Sequence, residues 1–223
     1  MRVTSRRGTY VVLEGIDGVG KTTQVRALAS LLPKEEIRLV TEPSDTPVGR
    51  LTQSAWSGEL RMSPEAQSLL FAADSTELTR TGLQSVESML RRGLIVLGDR
   101  CFLSTIAYLS DACSENWLWE IHARCLMPDL ILILDLPPRH ALHRIRLRGE
   151  KHAQSTKVEY LVRVRRRYKL AAMEMRRRGF AVEVLPIRRE SLPAAVTEAL
   201  LLRLQAHGIC LNRSRGRLQQ PHP

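Results

Sequence analysis

The stretch that most limits the possible folds is YVVLEGIDGVGKTTQ, residues 10–24. An apolar run comes first, a loop with three glycines follows it, and a sequence with helical periodicity comes after the loop. A buried strand that turns directly into a helix is the first half of a βαβ unit, whose next strand pairs in parallel with the first. The stretch therefore predicts an α/β fold with a parallel sheet.

The remaining chain continues this alternation of short apolar runs with longer helical segments, which is typical of a parallel sheet covered by helices on both faces. The runs predicted as strands are residues 10–13, 37–40, 94–97, 130–134 and 180–185. Ser63 before Pro64 predicts the start of a long helix, and Gly93 is placed to end it. We expect a three-layer fold, with a five-stranded parallel sheet between two layers of helices.

The glycine loop matches the pattern G-x-x-x-x-G-K-[ST] from Gly15 to Thr22. Its glycines let backbone N–H groups close around an anion, and the helix that follows turns its positive end toward the same place. Lys21 would contact the β- and γ-phosphates of ATP, and the Thr22 hydroxyl would bind Mg²⁺. The candidate nucleotide-binding residues are Gly15, Ile16, Asp17, Gly18, Val19, Gly20, Lys21, Thr22 and Thr23.

Composition narrows the class of protein further. The 223 residues fit one domain, and we predict a basic extension over 1–9, the P-loop domain over 10–208 and a disordered basic tail over 209–223. No apolar run reaches the ~18 residues of a membrane span, and no secretory signal is visible. The four cysteines have no CxxC pairing, so reduced thiols in a cytoplasmic protein are expected. The net charge is +11, but aromatic residues make up only 4% of the chain. Solvated helix faces explain this charge better than a nucleic-acid partner does.

Four further segments follow the loop in a specific order: TEPSDTPVG, LLFAADS, LGDRCFLSTIAYLS and PDLILILDLPPRHALHRIRLRGE. Together with LEGIDGVGKTTQ, this series resembles the thymidylate kinase family over about residues 10–170. The resemblance implies a P-loop NTPase-type fold with a helical lid. It also implies ATP and Mg²⁺ as cofactors, dTMP as the substrate and a homodimer.

The resemblance also implies roles for single residues. Asp17 corresponds to an acid near the sugar and phosphate of the monophosphate, and Glu42 begins the EP loop beside it. Phe71 would stack on the base, or it is simply a core residue. Ser104 and Tyr108 would lie along the bound nucleotide. Tyr108 could instead be a buried core residue.

Charged residues complete the implied site. Arg100 would hold the acceptor phosphate, and Asp99 beside it would lie near the metal. Asp135 also closes an apolar run and is the alternative metal-side acid, with a structural role favoured for it. Lys21, Asp17, Arg100 and Arg148 are the candidate catalytic residues, and Arg144 and Arg146 lead toward the lid.

The sequence departs from the family pattern where the base and the lid are concerned. Ser75 stands where many members have the arginine of FAADR, and we expect Ser75 to face the base. Leu109 and Ser110 replace the last residues of AYQG, and Cys101 replaces the tyrosine of DRY. In family members a DR-x-E pattern usually follows RGE in the lid. The segment RGEKHAQSTKVEY lacks the Arg and the Glu of that pattern, which leaves Lys151, Lys157 and the arginines before them as the lid cations.

Three functions agree with these features. The first is a dTMP kinase, and the second is a nucleoside-monophosphate kinase with relaxed or shifted base choice, which Ser75 and Leu109 favour. The third is a catalytically weakened nucleotide-binding protein that contacts nucleic acid, which the altered lid and the high charge favour. Turnover of a panel of monophosphates separates them.

Overall fold

The computed structural model describes residues 7–147, 157–209 and 211. Within them, five strands form one parallel sheet in the order β2-β3-β1-β4-β5. The strands are β1 Thr9–Glu14, β2 Ile37–Thr41, β3 Ile95–Asp99, β4 Leu130–Asp135 and β5 Val182–Pro186. All five predicted strands are confirmed.

Strand β1 lies at the centre of the sheet, between β3 and β4. Every residue from Tyr10 to Glu14 is buried. Because successive side chains of a strand point to opposite faces, this continuous burial means that both faces of the sheet are covered. The chain order reverses on the two sides of β1, and ligands of such sheets bind beyond the carboxyl ends of the strands at this position.

Nine helices surround the sheet within the described residues. They are α1 Lys21–Ala29, α2 Pro47–Ser57, α3 Pro64–Arg80, α4 Val86–Arg91, α5 Phe102–Leu109, α6 Glu115–Ile121, α7 Pro138–Leu147, α8 Val158–Arg177 and α9 Pro193–Ala206. Helix α1 packs against α9, whereas α5 packs against both α3 and α8. These contacts bring residues from the last third of the chain next to the glycine loop.

The prediction of one long helix from Ser63 to Gly93 is wrong in its middle. Ser63 does cap the start of α3 with its side chain, as expected. However, α3 ends at Arg80, and Gly82 has a φ of 79°, in the left-handed region that breaks a helix. Ser85 then caps a second helix, α4, and Gly93 follows the end of that one.

Several predictions concern residues outside those described. Residues 1–6, 148–156, 210 and 212–223 belong to this group, so most of the extension, most of the tail and the lid between α7 and α8 stay predictions. Among the helices of the described residues, none is both long enough and apolar enough to cross a membrane.

A buried histidine makes the stability of this fold depend on pH. His122 follows α6 and is 1% exposed, and its Nδ1 lies 2.8 Å from the carbonyl oxygen of Leu118. Burial lowers the pKa of His122 to about 4, whereas an unfolded histidine titrates near ~6.5. The unfolded chain therefore takes up the proton first, and stability is lost as the pH falls from ~6.5 toward 4.

We expect the free energy of unfolding to fall by about 2 kcal/mol between pH 7 and pH 5 because of His122 alone. The measurement is denaturant unfolding of the wild type and of His122→Gln at both pH values. The glutamine keeps a hydrogen-bond donor but does not titrate, so carboxyl effects common to both proteins cancel. An equal loss of stability in both proteins would show that His122 is not responsible.

Candidate active site

The loop between β1 and α1 needs its glycines because neighbouring backbone approaches it closely. Gly15, Gly18 and Gly20 have φ angles of 133°, 79° and 103°. A Cβ atom would lie 2.5 Å from the carbonyl oxygen of Leu134 at Gly15, and 2.4 Å from that of Ala141 at Gly18. The loop is thus held tightly against β4 and α7, with its concave side at the start of α1, where an anion binds.

Lys21 begins α1 and bends back over the loop. Its Nζ donates to the carbonyl oxygens of Gly15 at 2.8 Å and Ile16 at 3.1 Å. The side chain is 6% exposed, and burial, with a smaller contribution from Arg100, lowers the pKa of Lys21 to about 8. The lysine lies on the wall of a cavity of about 400 Å³ that runs over the loop.

Two oxygen groups that suit Mg²⁺ meet in this cavity. The Thr22 hydroxyl donates to Oδ2 of Asp99, which closes β3, and both residues line the cavity. Hydroxyl and carboxylate oxygens are the hard ligands that Mg²⁺ prefers, and Mg²⁺ usually takes few protein ligands beside phosphate and water. The residues present therefore fit the ion.

Asp135, the alternative acid at the end of β4, has other partners. Arg165 donates to both of its carboxylate oxygens, and Nζ of Lys169 lies 3.0 Å from Oδ2. These two cations hold the pKa of Asp135 below its usual range against the opposing effect of burial. The carboxylate thus fixes α8 to the end of β4, which agrees with the structural role favoured for it.

Arg100 lies at the junction of two cavities. Its Nη2 donates to Asp17, its Nη1 donates to Ser104 Oγ at 2.9 Å, and the guanidinium lies over the ring of Tyr108 at 5.3 Å. Its backbone φ of 76° is unusual for a residue other than glycine. Such backbone strain is found where a side chain must be held in one place.

A buried carboxyl group organises the residues behind Arg100. Glu14 is fully buried at the end of β1 and accepts hydrogen bonds from the backbone N–H groups of Cys101 at 2.9 Å and Ser104 at 3.1 Å. It also accepts from the hydroxyls of Ser104 and Tyr168, each at 2.9 Å. The sequence reading missed both Glu14 and Tyr168. The available signal for Glu14 was a carboxylate that closes a buried strand.

The second cavity has aromatic walls. Trp56 of α2 meets Phe71 edge to face at 5.7 Å and Tyr108 at 5.5 Å between ring centroids. The Tyr108 hydroxyl accepts from the backbone N–H of Asp17 at 2.9 Å. The cavity measures about 30 Å³, enough for a water molecule or two. Trp56 was not found from the sequence, although one large aromatic residue in an otherwise ordinary amphipathic helix was a usable signal.

The predicted base-reading residue, Ser75, lies behind this cavity. Ser75 is 1% exposed and donates to Oε2 of Glu42 at 2.5 Å. Glu42 itself lines the cavity, and burial raises its pKa well above the usual range. Ser75 is not among the described residues that line the cavity, so the structure gives no support to a direct contact between Ser75 and a base.

Thr105 of α5 is a better placed polar group. It lines the cavity and is 3% exposed, and within the part of the chain that the structure describes its Oγ1 has no hydrogen-bond partner. Burying a hydroxyl without a partner costs free energy, which a ligand can recover by bonding to it. Ser110, in contrast, donates back to the carbonyl oxygen of Ile106.

A third cavity, of about 380 Å³, lies on the other side of the loop. Gly20, Gln24 and Arg144 line it together with Pro193 and Val196 of α9. Nη1 of Arg144 donates to the carbonyl oxygen of Val19 at 3.2 Å. This position suits the base of a nucleotide whose phosphates lie in the loop. The sequence reading found no role for α9, and Arg148 and Lys151 lie outside the described residues.

A parallel sheet, a glycine loop at a helix start and a second cavity joined to it by an arginine define a P-loop phosphotransferase, an enzyme that moves a phosphoryl group from ATP. A sequence profile of the thymidylate kinase family matches residues 13–183. The chain belongs to the thymidylate kinase family.

Individual relatives agree with this assignment. The chain is 40% identical over 182 residues to a protein of Pyrococcus horikoshii named "probable thymidylate kinase", covering 76% of this chain and 87% of that one. A protein of the same name from Pyrobaculum aerophilum is 34% identical, with coverages of 86% and 95%. The solved structure of thymidylate kinase from Candida albicans has the same fold, with a TM-score of 0.71 at 23% identity and coverages of 91% and 93%.

Proposed function

We propose that this protein transfers the γ-phosphoryl group of ATP to dTMP and so produces dTDP and ADP. The observation that carries the proposal is the position of Arg100, which lines two cavities. One is the cavity over the loop that Lys21 also lines, called the phosphate cavity below, and the other is the aromatic cavity. A guanidinium binds phosphate with paired hydrogen bonds, so an acceptor phosphate held there would face the donor phosphates. The base of the acceptor nucleotide would then enter between the aromatic walls of the second cavity.

The residues would divide the chemistry among them. Lys21 and the loop N–H groups would stabilise charge on the transferring phosphoryl group, and Arg100 would hold the acceptor phosphate. Bound Mg²⁺, held by Thr22 and Asp99, would neutralise charge on the donor phosphates. Asp17 would orient Arg100. The transfer is direct and in line, and needs no covalent enzyme intermediate.

Arg148 and the lid cations would add charge from above the phosphates, and this part of the proposal rests on the family resemblance. The family likewise implies a homodimer, and we extend that proposal to this chain. Sedimentation in solution tests it, and a monomer at working concentration would contradict it. Nucleotides are the proposed small-molecule partners, and a cytoplasmic location stays a prediction.

The aromatic cavity is narrow in this structure, at about 30 Å³, and Trp56, Phe71 and Tyr108 line it. We propose that these three side chains flank the base when the monophosphate binds. Their edge-to-face contacts are each worth only about 0.5–1.5 kcal/mol beyond area burial, so stacking on a base can replace them.

Coupled ADP release across dTMP, dUMP, UMP, CMP and GMP tests the function. We expect the highest kcat/KM with dTMP. Similar values for several pyrimidine monophosphates would favour relaxed base choice, which the serine at position 75 motivates. Tight ATP binding without turnover of any monophosphate, together with salt-sensitive binding of nucleic acid, would favour a weakened binding protein instead.

Thr105→Val is expected to lower kcat/KM for dTMP about ten-fold. A base that enters the cavity would supply the partner that the Thr105 hydroxyl lacks among the described residues, and valine keeps the shape of threonine without its hydroxyl. Thr76→Val is the matched control, because Thr76 donates to the carbonyl oxygen of Ala72 on α3 and does not line the cavity. An unchanged kcat/KM for dTMP in Thr105→Val would remove Thr105 from base binding.

A further inference from the structure

Tyr168 is a buried hydroxyl group that the proposed mechanism has not yet used. It lies on α8, 68 positions after Arg100, and is 1% exposed. Its Oη lies 2.9 Å from Oε2 of Glu14, 2.8 Å from Oγ of Ser104 and 3.2 Å from Nη1 of Arg100. Polar groups from β1, from α5 and from the turn before α5 therefore meet at one phenol.

The direction of two of these hydrogen bonds is fixed by chemistry. A guanidinium can only donate, so Tyr168 accepts from Arg100. The phenol then uses its single proton to donate to the Glu14 carboxyl. Burial raises the pKa of Tyr168 well above its usual range, so the proton stays in place. The result is a directed chain of hydrogen bonds from Arg100 through Tyr168 to Glu14.

This series of hydrogen bonds holds Nη1 of Arg100 in place. Tyr168 and Ser104 accept from Nη1, while Nη2 donates to Asp17 at the loop. An arginine has many rotamers, and fixing one nitrogen in a buried site removes most of them before a ligand arrives. Preorganisation of this kind is what an arginine needs if it is to place a phosphate for in-line transfer.

We propose that Tyr168 is a positioning residue for the acceptor phosphate, which acts by tying Arg100 to Glu14. This inference rests on the proposed function, since it needs a phosphate on Arg100. Tyr168 does not touch the substrate in this account. Its loss should therefore affect the monophosphate far more than ATP, because Lys21 makes its hydrogen bonds to the carbonyl oxygens of Gly15 and Ile16 and not to Tyr168.

Tyr168→Phe removes only the hydroxyl and keeps the packing of the ring. We expect KM for dTMP to rise about ten-fold, as for a lost hydrogen bond to a charged group, and KM for ATP to change less than about two-fold. Tyr160→Phe is the matched control. It makes the same change on the same helix, and the Tyr160 hydroxyl makes no hydrogen bond with Arg100 or Glu14. Equal effects of the two variants, or an equal rise in both KM values, would overturn the proposal.

A double-mutant cycle tests whether Tyr168 acts through Arg100. In an Arg100→Ala background, Tyr168→Phe should change kcat/KM for dTMP less than about two-fold, because the side chain that it positions is gone. A remaining ten-fold effect would mean that Tyr168 acts elsewhere. If Tyr168→Phe is unstable at the assay temperature, calorimetric binding of dTMP and ATP in the cold gives the same comparison.

Different results would contradict the proposed function and the role of Tyr168. Wild-type protein that binds ATP but does not phosphorylate dTMP would contradict the proposed function itself. Active wild type with identical kinetics in Tyr168→Phe and Tyr160→Phe would contradict only the role of Tyr168.

Discussion

Lys21→Ala is expected to lower kcat/KM about 100- to 1,000-fold, the usual effect of removing one preorganised charge-stabilising group. The lysine begins α1 and lines the phosphate cavity, and no other described lysine lines that cavity. Its two hydrogen bonds go to carbonyl oxygens of the loop, so its removal should cost at most a few kcal/mol of stability and leave the fold intact. The measurements are steady-state kinetics and a thermal unfolding curve.

Lys34→Ala provides the matched control, because Lys34 is exposed and does not line the phosphate cavity. Its kinetics should equal those of the wild type. Activity of Lys21→Ala within a few-fold of the wild type would show that the lysine of the loop takes no part in phosphoryl transfer. A collapse of the unfolding curve would instead show that the lysine is needed for the fold.

Arg100→Ala is expected to raise the dissociation constant of dTMP about 10- to 150-fold and to change that of ATP less than about three-fold. Each hydrogen bond to a charged group is worth about 1.5–3 kcal/mol, and this guanidinium is the proposed partner of the acceptor phosphate. Alanine adds no new backbone strain, because arginine already bears the φ of 76° at this position. Calorimetry with each nucleotide separately measures both constants.

Arg163→Ala removes the same charge from an exposed arginine of α8 that pairs with Asp111, and it should leave both constants unchanged. Weaker ATP binding with normal dTMP binding would assign Arg100 to the donor phosphates. That outcome would also remove the basis for Tyr168 as a positioning residue.

The sequence by itself determined the local parts of this protein. The loop from Gly15 to Thr22 could be read because its glycines, its lysine and its threonine are adjacent, and their chemistry depends on backbone geometry within a few residues. The five strands were readable for the same reason, since each is one continuous apolar run. The cap at Ser63 was also a local signal.

One local signal was misread, and its reason is physical. Helical periodicity continues on both sides of Gly82, so the pattern alone favoured one long helix. The left-handed backbone at Gly82 and the cap at Ser85 divide it into α3 and α4. Periodicity reports which residues face the core, but not whether the backbone between them stays helical.

Tertiary structure decided which side chains meet in the site. Glu14 and Tyr168 are 154 positions apart and share a hydrogen bond, and Trp56 of α2 reaches Tyr108 of α5. Nothing in the spacing of the sequence fixes such contacts, because they depend on how helices pack over the sheet. The same packing places Ser75 behind Glu42 and leaves the hydroxyl of Thr105 at the cavity. Adjacent residues therefore determine the phosphate-binding chemistry of the loop. The contacts that would select and place the acceptor nucleotide instead join residues that are far apart in the sequence.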